Sequence, residues 1–381
     1  MSAVGSRLAA FGTTIFTEMT ALAQRTGAIN LGQGFPDTDG PAEILDAAAA
    51  AMRAGHNQYA PLYGVPALRE AISAHQARWY GLEVDPDGEV LVTFGATEAI
   101  AAALLALCVP GDDVVVLEPY YDSYAAAIEL AGARRRPVTL REPDFALDPD
   151  ALAAAVTDRT RLVLLNSPHN PLGRVLTPAE LEAVASLCRD RDLVAVTDEV
   201  YEHLVYDGRH VPLATLPGMA ERTLTISSLG KTYSLTGWKV GWATGPRALV
   251  SAAASAKQFL SFAGGTPLQH AAATALAMDD HARANAAQLR SRRDRLCAGL
   301  EAAGMAVHRP DGTYFVNADI RPLGTDDGWA FSWALPERAG VAAIPTVAFY
   351  DDRDAGRHLV RFAFCKRDEV IDEAARRLAA L

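Results

Sequence analysis

Along the middle of the chain, short runs of β-branched and aliphatic residues alternate with longer Ala/Leu-rich stretches in which polar residues return at helical spacing. "EVLVTFG" (89–95) runs into "ATEAIAAALLALC", "DVVVLEP" (113–119) into "YYDSYAAAIELAG", and "TRLVLLNSP" (160–168) leads on to "TPAELEAVASLCRDRD". "LVAVTDEV" (193–200) and "RTLTISS" (222–228) continue the series. Strand and helix in alternation predict α/β architecture, a mainly parallel central sheet flanked by helices. The strands are apolar throughout rather than alternating, as expected where helices cover both faces of a sheet. Past about residue 280 the pattern changes to a charged helical stretch, "ANAAQLRSRRDRLCAGLEAAG", followed by "MAVHRPDGTYFVNADI" and "HLVRFAFCKRDEVIDEAARRL". This predicts a large domain over 41–280 and a smaller α+β domain built from 1–40 and 281–381.

Composition narrows the function. The 381 residues are half hydrophobic and carry a formal net charge of −11, which repels nucleic-acid phosphates and anionic membrane surfaces. No stretch approaches the roughly 18 charge-free apolar residues of a spanning helix, and the N-terminus lacks the apolar core of a leader, so a cytoplasmic protein is expected. Four cysteines, Cys108, Cys188, Cys297 and Cys365, form no C-x-x-C pair and read as buried thiols of a reducing compartment. No histidines stand at metal-ligand spacing; His56, His75, His203 and His210 read as surface or packing residues, and no metal is expected.

Ligands of such sheets bind at the carboxyl ends of the strands, which directs attention to "FGATE", "EPYYDSY", "NSPHNPLG", "TDEVYEH" and "SSLGK". A desolvated lysine, Lys231, can form a Schiff base with an aldehyde. Asp198, costly as a lone buried charge, would be satisfied by a protonated pyridine nitrogen. Asn170 and Tyr201 offer hydrogen bonds to a phenolate oxygen, and Tyr121 offers a stacking ring. Ser228, Lys239 and the backbone N–H groups of Ala96 and Thr97, at a helix start, make an anion site suited to a phosphate. Taken singly these are a capping Asp, a turn Asn, a core Tyr and a helix-cap Thr; jointly they describe pyridoxal 5'-phosphate.

"NLGQGFPD" (30–37), "NQYAPLYGVPALREAI" (57–72), "GATEAI" (95–100), "EPYYDSY" (118–124), "NSPHNPLGRVL" (166–176), "TDEVYEHLVYDG" (197–208), "SSLGKTYSLTGWKVGW" (227–242), "GTYF" (312–315), "VAAIP" (341–345) and "HLVRFAFCK" (358–366) follow one another along almost the whole chain. With these pieces the chain resembles the fold-type I, class I and II aminotransferases, in the branch of the kynurenine, methionine and actinobacterial N-succinyldiaminopimelate enzymes. The resemblance implies pyridoxal phosphate as cofactor, with Lys231 as the Schiff-base lysine and proton shuttle. It implies Asp198 as partner of the ring nitrogen, Tyr201 and Asn170 on the ring oxygen, and Ser228, Lys239, Ala96 and Thr97 on the phosphate, with Tyr121 stacked. Arg361 matches the arginine that grips the substrate carboxylate, a role that suits a bidentate guanidinium, and Gly34 matches a backbone position beside that carboxylate. Tyr59 matches a tyrosine that reaches the cofactor phosphate of the other subunit, which implies a homodimer with shared active sites.

The implied reaction moves the amino group of an L-amino acid (methionine, glutamine, aromatic or kynurenine-like) to a 2-oxo acid by a ping-pong mechanism. Ile15 aligns with an aromatic substrate contact of kynurenine-type relatives, Thr97 stands where a tyrosine can occur, and Gly264-Gly265 replaces bulkier pocket residues. These departures weigh against kynurenine itself. N-succinyldiaminopimelate transamination and cysteine-S-conjugate β-lysis are the alternatives on this scaffold.

Overall fold

The structure is a computed structural model that describes residues 11–381. Seven strands form the central sheet: β1 (Val90–Phe94), β2 (Asp113–Glu118), β3 (Arg134–Thr139), β4 (Thr160–Asn166), β5 (Val194–Asp198), β6 (Thr223–Ser228) and β7 (Val240–Thr244), in the spatial order β1-β7-β6-β5-β4-β2-β3. All neighbours pair in parallel except β7, which runs antiparallel to both β6 and β1. The expected α/β architecture is present, with two strands more than the hydrophobic runs predict. β3 is made from the "ARRRP" stretch at the sheet edge, where the partly exposed Arg135 and Arg136 pair with Asp351 and Asp113. β7 continues straight out of the lysine loop.

Helices cover both faces. Gly95–Leu107 packs Ala99, Ile100, Ala103 and Leu104 onto one face with Arg247–Leu260, and Pro178–Asp190 packs Leu181, Val184 and Cys188 onto the other. Pro178–Asp190 starts where its sequence dictates: Thr177 and Glu180 form a reciprocal capping box, which satisfies two otherwise orphaned N–H groups. A second sheet contains β8 (Ala306–His308), β9 (Phe315–Asp319), β10 (Ile344–Pro345) and β11 (Leu359–Ala363), antiparallel in the order β10-β11-β9-β8. The N-terminal segment joins this region through Ile29–Asn30, which pairs in parallel with Val341–Ala342. Helices Asp279–Ala302 and Asp368–Leu378 close a core of Leu296, Leu300, Val316, Phe362 and Ile371. Among the described residues no helix is long and apolar enough to cross a membrane, and the four cysteines are free and buried.

Glu142, just after β3, accepts from His308 Nε2 at 2.8 Å, His358 Nε2 at 2.5 Å and an Arg321 nitrogen at 3.0 Å. One carboxylate thereby ties the end of β3 to three residues of the four-stranded sheet and its connections.

Candidate active site

The carboxyl ends of β1, β2, β4, β5 and β6 converge with β11 on a cleft of about 300 Å3, at the lower end of the range for small-molecule sites. Gly34, Ala96, Thr97, Tyr121, Asn170, Asp198, Tyr201, Ser228, Lys231, Lys239 and Arg361 all line it, as do Phe16, Tyr124, Asn166 and Phe315. Residues from distant parts of the chain meet here because the parallel register brings strand ends level. Asp198 pairs with Asn166, and the row Thr93–Gly241–Ser228 crosses β1, β7 and β6.

Lys231 sits on a single helical turn, Leu229–Thr232, directly after β6. Its Nζ lies 5.7 Å from the ring centroids of both Tyr201 and Tyr314. Burial lowers its pKa to about 8, against the opposing influence of Cys365 and Asp198. A substantial fraction of free amine therefore exists near neutral pH, which is what nucleophilic attack on an aldehyde needs.

Asp198 is buried at the end of β5. Burial raises its carboxyl to about 6, opposed by hydrogen bonds from the Tyr124 hydroxyl and the Val200 N–H. The first bond is 2.6 Å long and the second 3.4 Å. No arginine or lysine forms a salt bridge with it among the described residues, so a cationic ring nitrogen in the cleft is the partner its chemistry lacks.

At the other side, helix Gly95–Leu107 opens onto the cleft with first-turn N–H groups that have no intrahelical acceptor. A Cβ on Gly95 would stand 3.1 Å from Lys239 Nζ, so the ammonium lies over the helix start. A Cβ on Gly241 would meet the Gly95 carbonyl carbon at 2.5 Å, so only glycine lets β7 approach this closely. Lys239 itself adopts the left-handed region, φ 54°. Cation, helix terminus and the half-buried Ser228 form an anion cradle. Burial pushes the Tyr121 pKa to about 12, so the ring stays neutral. A buried nucleophilic amine, an acid lacking its cation and an anion cradle share one cleft: the donor set fits pyridoxal phosphate.

Arg361, on β11, is 1% exposed and forms no salt bridge with a carboxylate among the described residues. It donates to Asn170 Oδ1 and to the Gly32 carbonyl, each at 2.9 Å, while its Nε has no partner. Phe16, Phe315 and Phe349 surround the guanidinium at 5.3, 4.0 and 4.8 Å from their ring centroids. A desolvated cation held only by neutral acceptors is a receptor for a carboxylate. Gly34 stands beside it: its carbonyl accepts from Tyr314 Oη at 2.6 Å, and an added Cβ would come within 2.4 Å of Phe315.

Two predicted positions fall outside the cleft. Ile15, at the start of helix Ile15–Thr26, packs against Met19 and its neighbours; the next residue, Phe16, is the one that lines the site. Tyr59 is 84% exposed, in edge contact with Phe262. Sequence reasoning missed Phe16, Tyr124, Asn166 and Tyr314 as site residues. Asn166 donates to the Asp198 carbonyl at 2.7 Å and accepts from the Asn170 N–H at 2.6 Å, so it joins the acidic end of the site to Arg361 through Asn170. Tyr124 and Tyr314 stand inside the quoted "EPYYDSY" and "GTYF" segments, and only that proximity could have flagged them.

The family model for aminotransferase class I and II matches residues 26–378. A solved N-succinyldiaminopimelate aminotransferase from Mycobacterium tuberculosis superposes with a TM-score of 0.97 at 56% identity, covering 99% of this chain and all of that one. Methionine aminotransferase of Escherichia coli is 41% identical, covering 99% of this chain and 98% of its own length. Kynurenine–oxoglutarate transaminase 3 of mouse is 37% identical, covering 97% and 88%. Fold, strand-end site and relatives agree, and the chain belongs to the class I and II aminotransferases, the fold-type I transaminases that depend on pyridoxal phosphate.

Proposed function

We propose that this aminotransferase takes its amino group from an N-succinyldiaminopimelate-class donor and passes it to a 2-oxo acid by a ping-pong route. The 56% identity to the M. tuberculosis enzyme of that name supports the choice of donor. The buried, unpaired Arg361 facing the same cleft as Lys231 carries the chemical reading. When bound, pyridoxal phosphate supplies the aldehyde and an electron-accepting ring. Lys231 anchors it and afterwards takes the proton from the substrate Cα. Asp198 would stay ionised to meet the ring nitrogen, Asn170 and Tyr201 would hydrogen-bond the ring oxygen, and Tyr121 would offer its ring for stacking. Ser228, Lys239, Ala96 and Thr97 hold the phosphate. Arg361, with the Gly34 backbone beside it, orients the α-carboxylate so that the Cα–H bond faces Lys231.

The second reading is a methionine-type donor, favoured by the 41% identity to the E. coli enzyme over nearly the whole chain. Single half-reactions distinguish them: each amino acid is mixed with holoenzyme and conversion to pyridoxamine phosphate is followed by absorbance. N-succinyldiaminopimelate should give the largest kcat/KM; methionine exceeding it by tenfold would replace the first reading with the second. Pyruvate and thiol released from a cysteine conjugate faster than transamination would establish β-lysis instead.

A homodimer belongs to the same proposal. Tyr59, Phe259 and Phe262 are exposed aromatic residues, Tyr59 and Phe259 at 84% and 85%, and Tyr59 is in edge contact with Phe262. A second copy covering them would bring Tyr59 and the Gly264-Gly265 loop to its own cleft. Light scattering should give twice the chain mass, and a fully active monomer would overturn it. The four buried free thiols support a cytoplasmic location.

A further inference from the structure

A second cavity, about 580 Å3, lies apart from the catalytic cleft and is lined in part by Trp79, Tyr80, Glu202, His203 and His210. At its edge the fold does what the sequence spacing does not suggest: it brings His75, from helix Pro66–Tyr80, against His203, from the turn after β5. Their Nε2 atoms face each other at 2.7 Å. The Glu202 carboxylate completes the group, with one donor atom from each residue within 4.8 Å of the others.

We propose that His75 Nε2, His203 Nε2 and the Glu202 carboxylate bind a divalent cation of the zinc class, with water from the cavity as fourth ligand. Two nitrogens and one carboxylate oxygen are a zinc donor set. Tetrahedral ligands at zinc–nitrogen distances of about 2.0–2.1 Å stand roughly 3.3 Å apart, so the two rings need separate by only about 0.6 Å. In the metal-free pair one ring donates its Nε2 proton to the other; on binding, that proton moves to the donor's own Nδ1 and the metal takes its place. Both Nδ1 atoms are buried without a hydrogen-bond partner among the described residues, so the exchange breaks no existing contact, and the proton that moves there has only water from the cavity to bond.

The carboxylate is positioned from behind, as zinc ligands commonly are. Tyr80 Oη donates to one Glu202 oxygen at 2.6 Å, and Ser227 Oγ donates to the other. The surrounding charge is mixed. Asp279 favours a cation but is paired with Arg78, Glu199 is bonded to His210, and Arg283 lies over the Trp79 ring at 4.9 Å. The other cluster of three such ligands among the described residues, Glu142, Asp319 and His358, already holds Arg321. Since Ser227 and Glu202 neighbour Ser228 and Tyr201 in the chain, a cation here would sit directly behind the catalytic strand ends.

The test is a zinc titration of chelator-stripped holoenzyme, free of amino acid, against a chromophoric chelator. One equivalent of Zn2+ per chain should bind, and His203→Gln and His75→Gln should each weaken it at least tenfold. His203 is only partly buried, so His203→Gln tests the idea even if His75→Gln fails to fold. His56→Gln, which breaks the rival pair of adjacent histidines His56 and His270, should leave binding unchanged. Absence of stoichiometric binding, retention by His203→Gln, or loss in His56→Gln would each overturn the proposal.

Discussion

Tyr124 donates its hydroxyl to Asp198 Oδ2 at 2.6 Å, in the wall of the cleft. It is one of two hydrogen bonds that hold the carboxyl below the value burial alone would impose, and the stronger of them. Tyr124→Phe should therefore raise the Asp198 pKa further above about 6, so that the group protonates at higher pH and releases its hold on a cationic ring nitrogen as pH falls. A hydrogen bond to a charged group is worth about 1.5–3 kcal/mol, or tenfold to a hundredfold. The variant should lose cofactor on dialysis at pH 6 by a factor of that size, with a smaller deficit at pH 8. Equal retention at both values would contradict the role.

Arg361→Lys preserves charge but removes the fork. The loss in kcat/KM should be about tenfold to a hundredfold and nearly the same for every amino acid, because the α-carboxylate is common to all. Steady-state kinetics on three chemically different donors checks this; a loss restricted to one side-chain class would reassign Arg361 to side-chain recognition.

The Lys231 amine titrates near 8 because of burial, so the reactive free base grows as pH rises. Reconstitution of apoenzyme with pyridoxal phosphate should be about tenfold slower at pH 7 than on its alkaline plateau, with a midpoint near 8 rather than above 10. Stopped-flow absorbance measures it. Lys231→Ala should bind the cofactor without any bond that borohydride can reduce, and turnover should fall at least about a thousandfold.

Glu142→Gln leaves the cleft untouched but weakens a link between the two sheets, since His308, His358 and Arg321 all bond to this carboxylate. The expected cost is about 1–3 kcal/mol, read as a lower denaturation midpoint, with kcat/KM within about twofold of the parent. Unchanged stability would mean that solvent compensates the lost charge.

Sequence periodicity identified five of the seven central strands because their apolar runs are bounded by turn residues. β3 escaped because an edge strand needs only one neighbour and can expose charge on its free side. β7 escaped because it follows the lysine loop without a break in polarity. In the site, Asp198, Asn170 and Lys231 were legible as polar residues at or just beyond strand ends, and Arg361 only through the family resemblance. Tyr124 and Tyr314 were not, since a ring in an apolar neighbourhood looks like packing until its hydroxyl finds an acceptor. Phe16 replaced Ile15 for a geometric reason: successive helix positions point about 100° apart, so a shift of one residue changes which side chain enters the cleft. His75 and His203 gave no signal, because their pairing exists only after the helix before β1 packs beside the turn after β5.

The antiparallel course of β7 has an architectural consequence. Its start, unlike that of its parallel neighbours, lies at the edge where their ends emerge, so Lys231 and Lys239 are the two ends of a single connection. The proposed covalent anchor and the proposed counter-charge for the phosphate are spaced by one loop. Loops after the other strands can lengthen independently, and the substrate pocket can diversify through them. An insertion between 232 and 238 would displace both groups at once, making this the least negotiable loop length in the molecule.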